Sequence, residues 1–199
     1  MRTKKDGPLN HITKCKRCNL YSTRRNVVIG RGAIPAKMLF LGEAPGLSED
    51  LTGVPFSGPS GALLDRMIVD ACQLGITELE MPTTYYTNII MCHATDRFAG
   101  DNRAPTREEI FSCAANVMEV YHLVKPRLVV FVGKEAKHYY GSEFPGGVEI
   151  YHPSYLLRTG GVSSRYYMHT VRVLHDAIED LWEELDNEER LSKKGTEHV

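Results

Sequence analysis

The chain has no apolar run approaching the roughly 18 residues that a membrane-spanning helix requires. That argues against a helical membrane protein and predicts no membrane partner. The basic start, Met1-Arg2-Thr3-Lys4-Lys5, is not followed by an apolar h-region, so no secretory signal is expected and a cytoplasmic setting is. Internal repeats and low-complexity linkers are also missing, and 199 residues suit one α/β domain, 1–199, with a real core. Net charge is small, −1 overall, and by itself says nothing about nucleic acid. Its distribution says more. From Arg2 to Arg31 the chain carries Lys4, Lys5, Lys14, Lys16, Arg17, Arg24 and Arg25 against one acid, Asp6, whereas acids from Asp176 to Glu189 crowd the other end. A basic end attracts phosphate locally even in a neutral protein; a solvated basic tail fits the same pattern equally well.

What is present reads as alternating strands and helices. Met38–Leu41 is a short apolar strand. A Gly/Pro-rich loop with isolated carboxylates follows it, from Gly42-Glu43-Ala44-Pro45-Gly46 through Glu49-Asp50 to Gly61. Ala62–Leu74 then places Leu63, Leu64, Met67, Ile68 and Ala71 on one helical face. Tyr85–Ile90 is a second strand. Thr106-Arg107-Glu108-Glu109 is a capping box opening a helix that Pro126 stops. Leu128–Val132 is a continuous apolar run, as in a strand buried on both faces. Lys134–Tyr140 is a short helix, Val148–Tyr151 a fourth strand, and Met168–Leu185 a terminal amphipathic helix. The pattern predicts a three-layer α/β/α sandwich around a central, mostly parallel four-stranded sheet. In such a sheet Glu43, Asn88, Gly133 and His152, each late in or just after a strand, converge on the carboxyl edge, where ligands bind.

Five cysteines are present. The two-residue gap of Cys15-Lys16-Arg17-Cys18 lets both thiolates reach one metal centre. Cys92 follows the Asn88 strand and Cys113 lies in the capped helix, where it also fits as a small apolar residue. Cys72 has no partner in the pattern and reads as core. Four thiolates suit zinc or an iron–sulfur cluster equally, and spacing does not choose between them.

The residues at the sheet edge form a chemical set. Asn88 offers one acceptor and two donors in a plane, matching the edge of a pyrimidine. Phe56, in Pro55-Phe56-Ser57-Gly58, offers a face for stacking a flat base. His152, fixed by Pro153, can donate to an oxygen that gains negative charge. Glu43 or Glu49 can hold a water or stabilise a developing cation. Together they suffice to cleave an N-glycosidic bond, whose sugar becomes oxocarbenium-like. Each also has a plain structural reading: a loop cap for Glu43, core for Phe56, a satisfied amide for Asn88, a turn histidine for His152.

The motifs Gly42-Glu43-Ala44-Pro45-Gly46 with Glu49-Asp50, Gly53-Val54-Pro55-Phe56, Gly61-Ala62-Leu63-Leu64, Thr87-Asn88-Ile89-Ile90-Met91-Cys92, Asn102-Arg103-Ala104-Pro105 and His152-Pro153-Ser154-Tyr155-Leu156-Leu157-Arg158 occur in the order found in family 4 uracil-DNA glycosylases, which the chain resembles. The resemblance implies a DNA-repair hydrolase, monomeric and monofunctional, that flips uracil from single- or double-stranded DNA and leaves an abasic site. It implies a structural [4Fe-4S] cluster on Cys15, Cys18, Cys92 and Cys113, with residues 11–31 supplying two of the four ligands. It implies catalytic roles for Glu43, Glu49 and His152. Phe56 would stack on uracil and Asn88 read its edge, beside Gly42 and Ala44. Ser154, Leu156, Leu157 and Arg158 would form a loop entering the DNA, with Leu156 or Leu157 as an apolar wedge. Ser57 and Ser60 stand where the family usually has Val and Ala, the segment Gly141–Ile150 is shorter than usual, and the loop from His93 to Asp101 lacks the usual Arg-Pro-Pro start. The Lys/Arg-rich loop of a branch that traps uracil-DNA covalently is missing. Two other readings carry forward: the same chemistry on another deaminated or modified base, and a non-catalytic, metal-stabilised DNA-binding protein.

Overall fold

The computed structural model describes residues 8–196; the basic Arg2, Lys4 and Lys5 lie outside that range. Strands run in the order β1 (Arg31–Gly32), β3 (Thr84–Asn88), β2 (Met38–Gly42), β4 (Leu128–Val132) and β5 (Val148–Ile150). All neighbours are parallel except the β1–β3 pair. The sheet therefore has five strands rather than the four expected. The extra one is a two-residue antiparallel edge with no apolar alternation, so periodicity could not register it. Gly32 makes the pairing possible, because a Cβ there would stand 2.1 Å from the Thr84 carbonyl oxygen.

Helices cover both faces. In β2, Leu39 and Leu41 point into a core shared with α3 (Arg107–Val124) and α4 (Lys134–Tyr140). Met38 and Phe40 point the other way, into a core with α2 (Pro59–Cys72), α5 (Pro153–Arg158) and α6 (Tyr167–Thr196). That alternation is the strand period of two, and it accounts for a central strand that is apolar throughout. The three-layer α/β/α arrangement is as expected. Strand β2 is flanked by β3 on one side and β4 on the other, so the connections diverge there and open a crevice at the carboxyl ends.

Three elements differ in extent or kind. The acidic loop contains a short helix, α1 (Leu47–Thr52), capped at Gly46 and ended by Gly53 in the left-handed conformation. The segment after His152 is helical, not a loop. The terminal helix runs on to Thr196, well past the last stripe residue, Leu185; Arg127 pairs with Glu184 just before that point and with Glu188 just after it. Among the described residues, no helix is long and apolar enough to cross a membrane.

Candidate active site

Gly42 and Asn88 are the last paired residues of β2 and β3. A Cβ at Gly42 would stand 2.4 Å from Asn88 Oδ1 and 2.6 Å from Phe56 Cζ. Glycine is what lets the Asn88 amide and the Phe56 ring meet over the strand end. Phe56 itself has a positive φ of 52°, and its backbone lies against α2 so closely that a Cβ at Gly61 would be 1.8 Å from the Phe56 carbonyl oxygen. Two glycines of the recognised motifs thus fix the ring. Phe56 is 8% exposed and Asn88 3%. Both line a cavity of about 320 Å³ with Glu43, Ala44, Glu49, Ser60, His152 and Ser154. The satisfied-amide reading of Asn88 fails, because its side chain makes no hydrogen bond among the described residues. Its polar atoms are open to the cavity, where a ligand or water can pair with them.

His152 is the N-cap of α5. Its Nδ1 accepts from the Ser154 N–H at 3.1 Å, and the Ser154 hydroxyl lies 2.8 Å from the same atom. An Nδ1 that accepts a backbone N–H cannot carry a proton, so the neutral ring holds its proton on Nε2. Burial, and then the nearby Arg158 charge, lower the His152 pKa and keep the ring neutral. Gly133, with a φ of 93°, gives it room: a Cβ there would be 3.2 Å from that of His152. Ser154 therefore acts on His152.

The carboxylates divide. The Glu43 carboxylate makes no hydrogen bond among the described residues, and its pKa is raised by burial and by Glu135, with Lys134 opposing. Glu49 is fully engaged: Oε2 accepts from Gly46 N–H at 3.1 Å and Oε1 from Gly58 N–H at 3.3 Å. The plain capping reading weighed for Glu43 describes Glu49 instead, whose carboxylate ties Gly46 to Gly58 across α1. Asp50, without a role from sequence, is 2% exposed and accepts backbone N–H groups of Arg25 and Asn26 at 2.9–3.0 Å. It ties the N-terminal segment to α1.

Two other expectations change. Leu156 is fully buried in the core beside α2 and α6, so its side chain is not free to act as a wedge; Leu157 is 41% exposed and is. Ser57 points away, to the Thr52 hydroxyl at 2.9 Å, so of the two unusual serines only Ser60 faces the cavity. Sequence reasoning gave no role to Asn102 and Arg103, which also line the cavity. Asn102 Oδ1 is 2.7 Å from Nε2 of the buried His93, and Arg103 clamps Glu109 with two hydrogen bonds. Their place in a quoted motif was the available signal.

A sequence model of the uracil DNA glycosylase superfamily matches residues 29–180. Among similar proteins, a type-4 uracil-DNA glycosylase of Thermotoga maritima is 30% identical over 164 residues, 74% of this chain and 80% of that protein. The type-4 enzymes of Saccharolobus solfataricus and Archaeoglobus fulgidus are 32% and 33% identical, over 65% and 67% of this chain. The chain belongs to the type-4 uracil-DNA glycosylases. It spans only 56% and 62% of the length of the latter two relatives.

The family match begins after Cys15 and Cys18, yet the fold brings that segment to the other two cysteines. The Asn116 amide reaches Cys15 Sγ at 3.6 Å and Cys113 Sγ at 4.0 Å. Arg24 Nη1 donates to Cys92 Sγ at 3.4 Å. Cys15 lies near enough to raise the Cys18 thiol pKa, and both raise that of Cys113. Burial pushes the Cys92 thiol up to about 12 and Cys113 to about 11, so coordination must displace these protons. All four are free thiols, ringed by N–H donors of the kind that tune cluster sulfurs. Among the described residues, no group of three or more His, Cys, Asp or Glu side chains is placed to hold a metal ion; the thiol chemistry alone suits a cluster. Arg24 and Asn116 were not anticipated; the spacing of Asn116 three residues after Cys113, on a helical apolar face, was the only hint. Arg17 donates to Asn116 at 3.1 Å, so two of the basic residues considered for phosphate, Arg17 and Arg24, are used here. Cys72 is core, as expected, with its Sγ 3.9 Å from Met81 Sδ.

Proposed function

We propose that this protein hydrolyses the N-glycosidic bond of uracil in DNA, leaving an abasic site. The observation that carries the reading is the unpaired Asn88 amide facing a base-sized cavity beside the Phe56 ring. Removing a base from the stack costs a few kcal/mol, least where it is mismatched or unpaired. In the cavity the uracil lies on Phe56, and Asn88 pairs with its donor–acceptor edge. As the bond from C1′ to N1 breaks, the electron pair moves to the base. His152 Nε2–H donates to the 2-oxygen, where negative charge grows, and needs no proton exchange to do so. Glu43 stabilises the oxocarbenium-like sugar and orients the water that adds to C1′. Glu49 and Ser154 act at one remove, holding the loop and the imidazole. Leu157 and Arg158 are placed to fill the gap in the DNA and hold phosphate.

Cys15, Cys18, Cys92 and Cys113 would hold a [4Fe-4S] cluster, which joins the N-terminal segment to α3 and to the chain after β3. Its contribution is structural. We read the chain as one domain, a monomer working on single- or double-stranded DNA in the cytoplasm. Incubation with single- and double-stranded uracil oligonucleotides followed by alkali should cut the strand at uracil. No cutting of either, with the cluster intact, rejects the reading. The Ser60 hydroxyl at the cavity wall favours one variant of it, in which a modified or deaminated base is also accepted; a panel of such bases in the same assay decides that point.

A further inference from the structure

Beside the base cavity lies an aromatic group for which bond cleavage has no use. Tyr151 leaves β5, Tyr155 sits on α5 and Tyr166 precedes α6. The Tyr151 and Tyr155 rings are stacked with centroids 5.9 Å apart and 25° between planes. Tyr166 lies 4.8 Å from Tyr151 and 5.4 Å from Tyr155. Tyr151 is 38% exposed, while Tyr155 and Tyr166 are half-buried at the margin of the core beside α2 and α6. The Arg165 guanidinium lies 4.6 Å from the centroid of Tyr166, and Arg158 is exposed nearby. Tyr151, Tyr155 and Arg158 also line a second cavity, of about 540 Å³, which shares Glu43, His152 and Ser154 with the base cavity. Other exposed aromatic side chains, such as Phe98 and Phe111, have no such ring neighbours among the described residues.

Clustered rings with flanking guanidinium groups suit a base whose face is uncovered, since stacking is indifferent to sequence and phosphates follow the cations. Bases inside a duplex have both faces covered. In an unpaired strand no opposite base holds the neighbour in place, so when one nucleotide leaves, the neighbour can turn from the gap that Leu157 fills and offer a face to the tyrosines. We propose that Tyr151, Tyr155 and Tyr166 form a stacking subsite for the unpaired nucleobase next to the one held between Phe56 and Asn88, with Arg158 and Arg165 on its phosphates. The subsite rests on the DNA reading above. It predicts that an unpaired strand is held more tightly than a fully paired one.

The test uses the full chain with its cluster and a single-stranded oligonucleotide carrying uracil beside the fluorescent base 2-aminopurine. Binding of the wild type should change the 2-aminopurine emission. Tyr151→Ala with Tyr166→Ala should abolish that change and weaken affinity about tenfold or more, while the single-turnover excision rate at saturation stays as in the wild type. Tyr151→Ala with Tyr166→Leu, which keeps apolar bulk against α6, should behave the same and separates stacking from folding. Equal affinity and an unchanged emission response in both variants overturn the subsite. Wild-type protein that binds but releases no uracil rejects the excision reading instead, and the emission arm still judges the subsite.

Discussion

At the scale of single residues, protonation separates His152 from Glu43. The His152 ring is held neutral in the fold below its ordinary value of 6.5. The unfolded chain therefore binds the proton first, and stability falls as pH drops below 6.5 toward the folded value. NMR of labelled imidazole should show Nδ1 unprotonated at neutral pH and titration below 6.5; a doubly protonated ring at pH 7 would contradict the assigned tautomer. His152→Ala should slow excision by about 10²–10³-fold. Glu43 shifts the other way, above its ordinary 4.5. The acid limb of kcat/KM should accordingly lie above that value, because the ionised carboxylate is the working form, and Glu43→Gln should be slow at every pH. These two residues and Asn88 were legible because strand ends in a parallel sheet gather side chains at one edge, and Phe56 because it sits in a stiff Gly/Pro-rich loop. The engagement of Glu49 was not, since a capping carboxylate and a catalytic one look alike until the backbone N–H groups are placed. The buried Leu156 was hidden for a similar reason: which of two adjacent leucines faces the core depends on the phase of α5.

At the scale of elements, the glycines set the pocket. Gly42→Ala would drive a methyl into both Asn88 and Phe56. Excision should be lost with little change in Tm, since the crowded atoms border an open cavity. Gly61→Ala meets backbone instead, and should cost about 1–3 kcal/mol in stability as well as activity. Thermal melts beside single-turnover rates distinguish the two; equal effects on both quantities would show that the pocket and the α2 packing are not separable in this way. The helices were read from apolar periodicity and the capping box, and α3, β4 and α4 fall close to where those signals put them. Helix α1 escaped because six residues give little more than one turn of pattern, and β1 because Arg31-Gly32 carries none.

At the scale of the whole molecule, Asp50 holds the backbone of the N-terminal segment, and the Arg24–Cys92 and Asn116–Cys15 contacts hold its cysteine end. Asp50→Ala leaves the Arg25 and Asn26 N–H groups without an acceptor, which should cost about 1–3 kcal/mol for each that stays buried. Melts of the cluster-bearing protein measure it. The purified protein should be brown and carry about four irons and four sulfides per chain; a colourless protein with one zinc would contradict the cluster. Sequence spacing left that choice open because thiolates serve both, and resemblance to the type-4 enzymes supplied it. The chemistry itself lies at the edge of the sheet. Chromatography of the free base released from an oligonucleotide containing uracil and thymine tests it most directly. The wild type should release uracil alone, and Asn88→Ala should release it at least about 100-fold more slowly. Release of no uracil by the wild type, or equal release by Asn88→Ala, would contradict the account.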